Sequence, residues 1–146
     1  MKIAIASDHK GYRLKQELIN YLKNENEIKD LGTNSEESTD FPKFGILLGE
    51  TVINEKQDFG IAICGTGIGI SIAANKVKGV MCAKVSNKEE ARLAKEHNNA
   101  NVLAISGSLS KEEAIDMIEA FVNTNLLIDE KYQRRINQIK EYENDN

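Results

Sequence analysis

The sequence of 146 residues contains no tryptophan, a single proline and only two cysteines. It also lacks a long apolar run: the apolar stretch 2–6 meets the polar residues Ser7 to Lys10 at once, which is too short for a membrane span or a signal-peptide core. The net charge of −4 argues against a general nucleic-acid binder, because such proteins carry a basic excess. We therefore expect one cytoplasmic domain, residues 1–146, that binds neither membranes nor nucleic acid.

The two cysteines, Cys64 and Cys82, do not form a CxxC pair. In a chain without signs of secretion, they are expected to be free thiols in a reducing compartment. Cys82 lies inside the apolar stretch 80–83, so we expect it to be buried and inert. Cys64 stands at a predicted strand end, in front of three alternating glycines. It is the candidate for chemistry, and the alternative is that it is merely packed.

Short runs rich in valine and isoleucine alternate with longer segments of helical spacing. This alternation predicts an α/β fold: a three-layer α/β/α arrangement around a five-stranded parallel sheet of the Rossmann or flavodoxin type. The predicted strands are 2–6, 27–31, 59–63, 80–85 and 101–105. The predicted helices are 11–23, 45–54, 70–76, 88–96, 111–122 and about 129–143. The last helix is amphipathic, and we expect it to pack on a partner subunit.

The expected ligand site is a crevice at one edge of the sheet. Ligands bind to open parallel sheets beyond the carboxyl ends of the strands, where the strand order reverses. For the expected order 2-1-3-4-5, this point lies between strands 1 and 3, which precede Ser7-Asp8-His9 and Cys64-Gly65-Thr66-Gly67-Ile68-Gly69. The alternating glycines uncover backbone N–H groups at the start of a helix, which suits an oxyanion or a phosphate. The pattern is neither a P-loop nor a dinucleotide fingerprint, so ATP and NAD are disfavoured.

The candidate side chains at this crevice each have a structural alternative. The backbone field and helix dipole at Cys64 would make a thiolate available near neutral pH, whereas a packed cysteine would need neither. Asp8 and His9 could bind a polyhydroxylated ligand and move protons on it. Alternatively, Asp8 caps the first helix and His9 is merely exposed.

Three further candidates lie outside the crevice. His97 ends the fourth predicted helix, at the opposite edge of the sheet and about 15 Å from the Cys64 end. It is therefore either a partner of the helix dipole or a residue that acts across the interface of a symmetric dimer. Lys131 and Arg135, four residues apart on one helical face, could clamp a phosphate or form a solvated surface.

Five blocks of sequence resemble one known family. They are Ser7-Asp8-His9-Lys10-Gly11, Gly32-Thr33, Thr39-Asp40-Phe41-Pro42, the long block from Cys64 to Lys76, and His97-Asn98-Asn99-Ala100-Asn101-Val102. In order and spacing they resemble the type B ribose-5-phosphate isomerases, a family that includes galactose-6-phosphate isomerase subunits. The resemblance covers nearly the whole chain. It implies interconversion of ribose 5-phosphate and ribulose 5-phosphate in the pentose phosphate pathway, with neither a metal nor an organic cofactor.

The resemblance also implies a role for each candidate. Cys64 would be the base that moves a proton between C2 and C1 through a cis-enediolate, and Thr66 would hydrogen-bond to the reacting oxygens. His97 would open the furanose ring, with Asp8 as the competing candidate, and Asn98 would help to hold the substrate. The remaining groups would bind anionic oxygens: Gly65, Gly67, Gly69 and Ser71 the enediolate, and His9, Lys131 and Arg135 the phosphate.

Three departures from the family pattern leave the substrate less certain than the reaction. Ser108 stands where the family usually has an arginine, Lys131 replaces one of two tail arginines, and Phe41 replaces a tyrosine. An isomerase of allose or galactose 6-phosphate, or a non-catalytic sugar-phosphate sensor, is the alternative. Ribose 5-phosphate stays ahead because Cys64 and His97 are both present, whereas each galactose-6-phosphate subunit type lacks one of them. The family pattern implies a homodimer with sites shared between subunits, and a tetramer is left open.

Overall fold

Five parallel strands form the centre of the computed structural model, which describes residues 1–146. The strands are β1 (Lys2–Ser7), β2 (Glu27–Asp30), β3 (Phe59–Cys64), β4 (Cys82–Lys84) and β5 (Val102–Ser106). The helices are α1 (Tyr12–Leu22), α2 (Phe41–Asn54), α3 (Ile68–Asn75), α4 (Lys88–Glu96), α5 (Lys111–Val122) and α6 (Glu130–Asp145), and a 3-10 turn (His9–Gly11) precedes α1. None of the helices combines the length and apolar character that crossing a membrane requires. The predicted α/β fold with a five-stranded parallel sheet is confirmed.

The order of the strands differs from the expected one. It is β2-β1-β3-β5-β4, so β5 rather than β4 lies beside β3. Four of the five residues of β5 are buried, whereas β4 has only three residues and none of them is buried. Because an inner strand is covered on both faces, the longer and more apolar β5 takes the inner position and β4 the edge. The order still reverses between β1 and β3, so the point at which a ligand site is expected is unchanged.

All element boundaries except the start of α2 lie within two residues of their predicted positions, and β4 is shortened at both ends. Helix α2 begins at Phe41, four residues before the predicted start, because Pro42 sits in its first turn, where a helix needs no N–H donor. Strand β4 covers only Cys82–Lys84 of the predicted stretch 80–85. The chain on either side of β4 is therefore loop.

Helices cover both faces of the sheet. Helices α1, α4 and α5 pack on one face, against the isoleucines and leucines of the strands. Helices α2 and α3 pack on the other face, where the buried strand residues are mostly small: Ala4, Ala6, Ala62, Cys64, Val102 and Ala104. Small strand residues let these two helices approach the sheet closely. The Cys64 side chain consequently belongs to the face that α2 and α3 cover.

The outer edge of β4 is occupied by a side chain rather than by another strand. On its inner side β4 pairs with β5, with Cys82 opposite Val102. On its outer side the amide of Asn75, at the end of α3, donates to the Cys82 carbonyl at 2.9 Å and accepts from the Cys82 N–H at 2.8 Å. One side chain thus satisfies both outward-facing backbone groups of this residue.

Candidate active site

The register of the sheet brings the two expected loops together. Strands β1 and β3 are parallel neighbours with Ser7 opposite Ile63, so the residues that follow each strand leave the sheet side by side. The backbone N–H of Asp8 donates to the carbonyl of Ile63 at 3.2 Å and joins the two loops directly. Asp8 and His9 therefore lie next to the loop that begins at Cys64, within a single chain.

Asp8 caps the turn that leads into α1. Its Oδ1 accepts hydrogen bonds from the N–H groups of Lys10 at 3.0 Å and Gly11 at 3.1 Å, and the residue is buried. Asp8 is therefore the N-cap of the 3-10 turn His9–Gly11 that precedes α1, and its role toward a ligand stays a prediction. Because both bonds go to Oδ1, Asp8 Oδ2 makes no hydrogen bond within the chain and can accept one from a ligand hydroxyl.

His9 is oriented by the segment that precedes α2. Its Nδ1 accepts a hydrogen bond from the backbone N–H of Thr39 at 3.2 Å, and the residue is half-buried. A neutral imidazole that accepts at Nδ1 carries its proton on Nε2. The Nε2 of His9 can therefore donate to an anionic oxygen.

Cys64 is the last residue of β3 and is only 4% exposed. Its Sγ accepts a hydrogen bond from the backbone N–H of Gly67 at 3.2 Å. The thiol is therefore packed, and at the same time it lies against the start of α3. A backbone donor in this position can stabilise negative charge that develops on the sulfur.

The glycine loop carries a set of backbone donors without partners. The N–H groups of Gly65, Thr66 and Gly69 make no hydrogen bond within the chain. The hydroxyl oxygen of Thr66 accepts the N–H of Ile68 at 3.1 Å, which leaves the hydroxyl hydrogen free to donate. Unpaired donors at the start of a helix form a site for an anionic oxygen.

Two of the predicted oxyanion ligands already use their N–H groups within the chain. The N–H of Gly67 is bonded to Cys64 Sγ at 3.2 Å. Ser71 lies one turn into α3, where its N–H donates to the Gly67 carbonyl at 3.3 Å and its hydroxyl donates to the Ile68 carbonyl at 2.7 Å. Their part in oxyanion binding stays a prediction.

Gly67 and Gly69 are required by close approaches. Gly67 has φ +83°, and a Cβ at this position would lie 2.9 Å from the carbonyl carbon of Ile105. A Cβ on Gly69 would lie 2.7 Å from Cζ of Phe41. The ring of Phe41 therefore packs against the first turn of α3, beside the glycine loop.

Ser108 and Lys10 lie near Gly65, at the start of the glycine loop. The Ser106 hydroxyl donates to the Gly65 carbonyl at 2.7 Å, and the Ser106 and Ser108 hydroxyls are 2.7 Å apart. A Cβ on Gly65 would lie 3.0 Å from Cδ of Lys10 and 3.9 Å from its Nζ. Lys10, which has no carboxylate partner, brings a cation to the loop that sequence reasoning missed. Its position two residues after Asp8 was the available signal.

His97 lies at the other edge of the sheet. It ends α4, where its N–H donates to the Leu93 carbonyl at 2.9 Å, and five residues later β5 begins at Val102. The far end of β5 is Ser106, which pairs with Cys64. A strand of five residues is about 13 Å long, so the fold of one chain does not bring His97 to Cys64.

Asn98, Lys131 and Arg135 lie on the same side of the molecule as His97. Asn98 lines a cavity of about 370 Å³ together with Asn75, Cys82 and Ile139. Lys131 and Arg135 are exposed on α6, with Nζ and Cζ at 5.0 Å and 5.9 Å from the ring centroid of Tyr132. The crevice at Cys64 and this group are thus separate within one chain.

Tyr132 is the second residue that sequence reasoning missed. Its ring stacks on the imidazole of His97, with the centroids 4.3 Å apart and the planes at 10°. Its place between Lys131 and Arg135 was the only signal.

No group of three or more His, Cys, Asp and Glu side chains is arranged to hold a metal ion.

Comparison with known proteins gives consistent matches along the chain. A family model described as Ribose/Galactose Isomerase matches residues 3–139. Ribose-5-phosphate isomerase B of Mycobacterium leprae is 38% identical over 146 residues, which is 98% of this chain and 90% of that protein. The structure of Clostridium thermocellum ribose-5-phosphate isomerase B superposes with a TM-score of 0.94 at 41% identity, covering 99% of both chains. The Mycoplasma genitalium ribose-5-phosphate isomerase B with bound ribulose 5-phosphate gives a TM-score of 0.91 at 41% identity, covering 99% and 97%.

Proposed function

The chain belongs to the ribose/galactose isomerase family and is an isomerase, and we propose that it interconverts ribose 5-phosphate and ribulose 5-phosphate with Cys64 as the carbon base. The observation that carries the proposal is the burial of Cys64 Sγ beside the unpaired N–H groups of Gly65, Thr66 and Gly69. A related structure with bound ribulose 5-phosphate supports the substrate. The free thiols of the chain support a reducing, cytoplasmic compartment, and the proposed substrate would place the enzyme in the pentose phosphate pathway.

The proposed chemistry is a proton transfer between neighbouring carbons. The Cys64 thiolate takes the proton from C2 of the open-chain aldose, and the C–H electron pair forms the C1–C2 double bond while the C1 carbonyl oxygen becomes an oxyanion. The free donors of Gly65, Thr66 and Gly69 hold that oxyanion. The O2 hydroxyl proton then passes to O1, the O2 electron pair forms the C2 carbonyl, and C1 takes the proton back from the Cys64 thiol, which gives the ketose. No oxidant or reductant is needed.

Asp8 and His9 would hold the rest of the sugar phosphate. Asp8 Oδ2 can accept a hydrogen bond from a sugar hydroxyl, since only Oδ1 is used by the cap. His9 Nε2 can donate to a phosphate oxygen, because the bond from Thr39 fixes the tautomer. Phosphate binding in the crevice would then combine an imidazole donor with backbone donors.

A second copy of the chain would complete the site. His97 lies at the opposite edge of the sheet from Cys64, so we assign it to ring opening in the site of a partner subunit in a homodimer. Asn98 would bind the substrate, and Lys131 and Arg135 on α6 would bind the phosphate, from the same partner. Asp8 remains the competing ring-opening group. Its engagement as a helix cap favours His97.

Replacement of Cys64 tests the proposal most directly. We expect Cys64→Ala to abolish formation of ribulose 5-phosphate from ribose 5-phosphate while ribose 5-phosphate still binds, as measured by calorimetry. Cys82→Ala is the matched control, since Cys82 lies on β4, away from the crevice, and should keep full activity. Near-normal turnover by Cys64→Ala would exclude Cys64 as the base. Binding without turnover by the unmodified protein would favour a sugar-phosphate sensor.

A substrate panel tests the second candidate function, isomerisation of a hexose 6-phosphate. The observation that favours it is the rim of the crevice, where Ser108 is hydrogen-bonded to Ser106 and Phe41 carries no hydroxyl. Ribose 5-phosphate, allose 6-phosphate and galactose 6-phosphate should be compared by kcat/KM. We expect ribose 5-phosphate to be the best substrate. A higher kcat/KM for either hexose phosphate would identify that sugar, and not ribose 5-phosphate, as the substrate.

Subunit mixing tests the shared site. Inactive Cys64→Ala and His97→Ala variants should regain part of the activity when combined, because a mixed dimer holds one intact site. Subunit exchange should be verified by mass spectrometry of the intact dimers. Absence of recovery after verified exchange would contradict the shared arrangement.

A further inference from the structure

The imidazole of His97 has one well-defined packing partner, the ring of Tyr132. The two rings are stacked with centroids 4.3 Å apart and planes at 10°, and the His97 side chain is 31% exposed. The nearest carboxylate oxygen, on Glu96, is 3.7 Å from His97 Nε2, too far for a hydrogen bond. No hydrogen bond within the chain holds either ring nitrogen. The plane of the imidazole is therefore set by stacking.

Tyr132 is itself held firmly relative to His97. It lies in the first turn of α6, and Ile136, one turn later on the same helix, is only 4% exposed. The segment before α6 is tied to the end of α4, because the N–H of Leu127 donates to the carbonyl of Glu96 at 2.9 Å. Asp129 caps α6 by accepting the N–H of Lys131 at 2.9 Å. The backbone is therefore held in place both before and after Tyr132.

We propose that Tyr132 is a positioning residue that sets the orientation of the His97 imidazole for opening of the sugar ring. This inference rests on the proposed function. In ring opening, the imidazole takes the proton of the anomeric hydroxyl, the bond between C1 and the ring oxygen breaks, and the ring oxygen receives a proton. One rigid group must face two oxygens in turn, and Tyr132 fixes the plane in which it does so.

The same stack links ring opening to phosphate binding. Lys131 and Arg135 approach the Tyr132 ring, at 5.0 Å and 5.9 Å from its centroid, so one aromatic side chain contacts both the imidazole and the cations. His97 and the phosphate-binding cations would then enter the active site of the partner subunit in a fixed arrangement relative to one another. The fixed distance between phosphate and anomeric carbon in a pentose phosphate suits such a unit.

Two assays separate ring opening from the proton transfer at carbon. Turnover of ribose 5-phosphate starts from the closed furanose and needs both steps. Incorporation of deuterium at C1 of ribulose 5-phosphate in D₂O needs only the Cys64 step, because the C5 oxygen of this ketose is phosphorylated and it cannot close to a furanose. A residue that only positions His97 should therefore affect the first assay and spare the second.

The variants are Tyr132→Ala, Tyr132→Leu and Tyr132→Phe, measured at saturating sugar phosphate. We expect Tyr132→Ala and Tyr132→Leu to lower kcat for ribose 5-phosphate about 10- to 100-fold, the cost of a misplaced catalytic group, with deuterium incorporation changed less than about 3-fold. Tyr132→Leu keeps an apolar side chain against α4 should the alanine variant fail to fold. Tyr132→Phe should restore kcat to within about 2-fold, because the tyrosine hydroxyl makes no hydrogen bond within the chain.

The outcomes distinguish this inference from the proposed function. Equal losses in both assays would identify Tyr132 as a plain structural anchor and overturn the positioning role. Unchanged ribose 5-phosphate turnover in both Tyr132→Ala and Tyr132→Leu would overturn it as well, as would loss of kcat in Tyr132→Phe. If the unmodified protein turned over neither sugar, the proposed function itself would be refuted.

Discussion

Substitution of Gly67 by alanine probes the fold and the site together. Gly67 has φ +83°, and Gly79, in an exposed turn, has φ +92°. An alanine in the left-handed region costs about 1–2 kcal/mol at either position, because its Cβ approaches the following carbonyl oxygen. Gly79→Ala is therefore a matched control for backbone strain.

The two positions differ in what the new Cβ meets. At Gly67 it would lie 2.9 Å from the carbonyl carbon and 3.1 Å from the oxygen of Ile105, main-chain atoms of an inner strand that cannot move aside. At Gly79 the nearest atom, at 3.0 Å, is Cδ1 of Ile53, the end of a partly exposed side chain. Overpacking adds about 1–3 kcal/mol at Gly67 alone, which gives about 2–5 kcal/mol against about 1–2 kcal/mol at Gly79.

Urea unfolding followed by circular dichroism measures this difference, since the chain contains no tryptophan for fluorescence. Turnover should separate the variants further. Gly67 donates its N–H to Cys64 Sγ at 3.2 Å, so a displaced loop should lower kcat about 100-fold in Gly67→Ala and leave Gly79→Ala unchanged. Equal destabilisation by the two substitutions, or full activity of a folded Gly67→Ala protein, would refute the reasoning.

Two further predictions concern a buried lysine and a partly buried cysteine. Lys15 is fully buried and its Nζ donates to Asp30 Oδ1 at 2.7 Å, so Asp30→Asn, which leaves a buried ammonium unneutralised, should cost about 2 kcal/mol in urea unfolding, and Lys15→Met less than about 1 kcal/mol. A larger cost for Lys15→Met would contradict this. Partial burial raises the pKa of Cys82 to about 12, so about 0.1% is thiolate at pH 9, and alkylation of Cys82 in the Cys64→Ala variant should rise about tenfold per pH unit between pH 8 and 10. A rate that levels off above pH 9 would speak against it.

Periodicity and strand-end chemistry predicted most of the architecture. The five strands and six helices fall where the alternation of apolar runs and helical spacing indicated, because those patterns report which face of each element is buried. The order of β4 and β5 could not be read from the sequence, since both are apolar and a crossover can reach either position. The lengths of the two strands decide their order: β4 has only three residues and lies at the edge, whereas the longer β5 lies beside β3.

The candidate site was predictable where it depends on the backbone. The convergence of Asp8 with the Cys64 loop follows from two parallel strands that are neighbours at the point where the order reverses. The sequence carries only a weak signal for Lys10 and Tyr132, because their roles depend on the conformations of flexible side chains, over Gly65 in one case and on His97 in the other. No sequence spacing relates Tyr132 to a residue 35 positions earlier.

The bonding of Asn75 to both outer backbone groups of Cys82 has a consequence for solubility. An edge strand with free N–H and C=O groups is a template on which another molecule can add a strand, and this is a common route to aggregation. Here the primary amide of Asn75 imitates one residue of a neighbouring strand and blocks that position. Because β4 has only three residues, a single blocked residue removes much of the edge that a foreign strand could use.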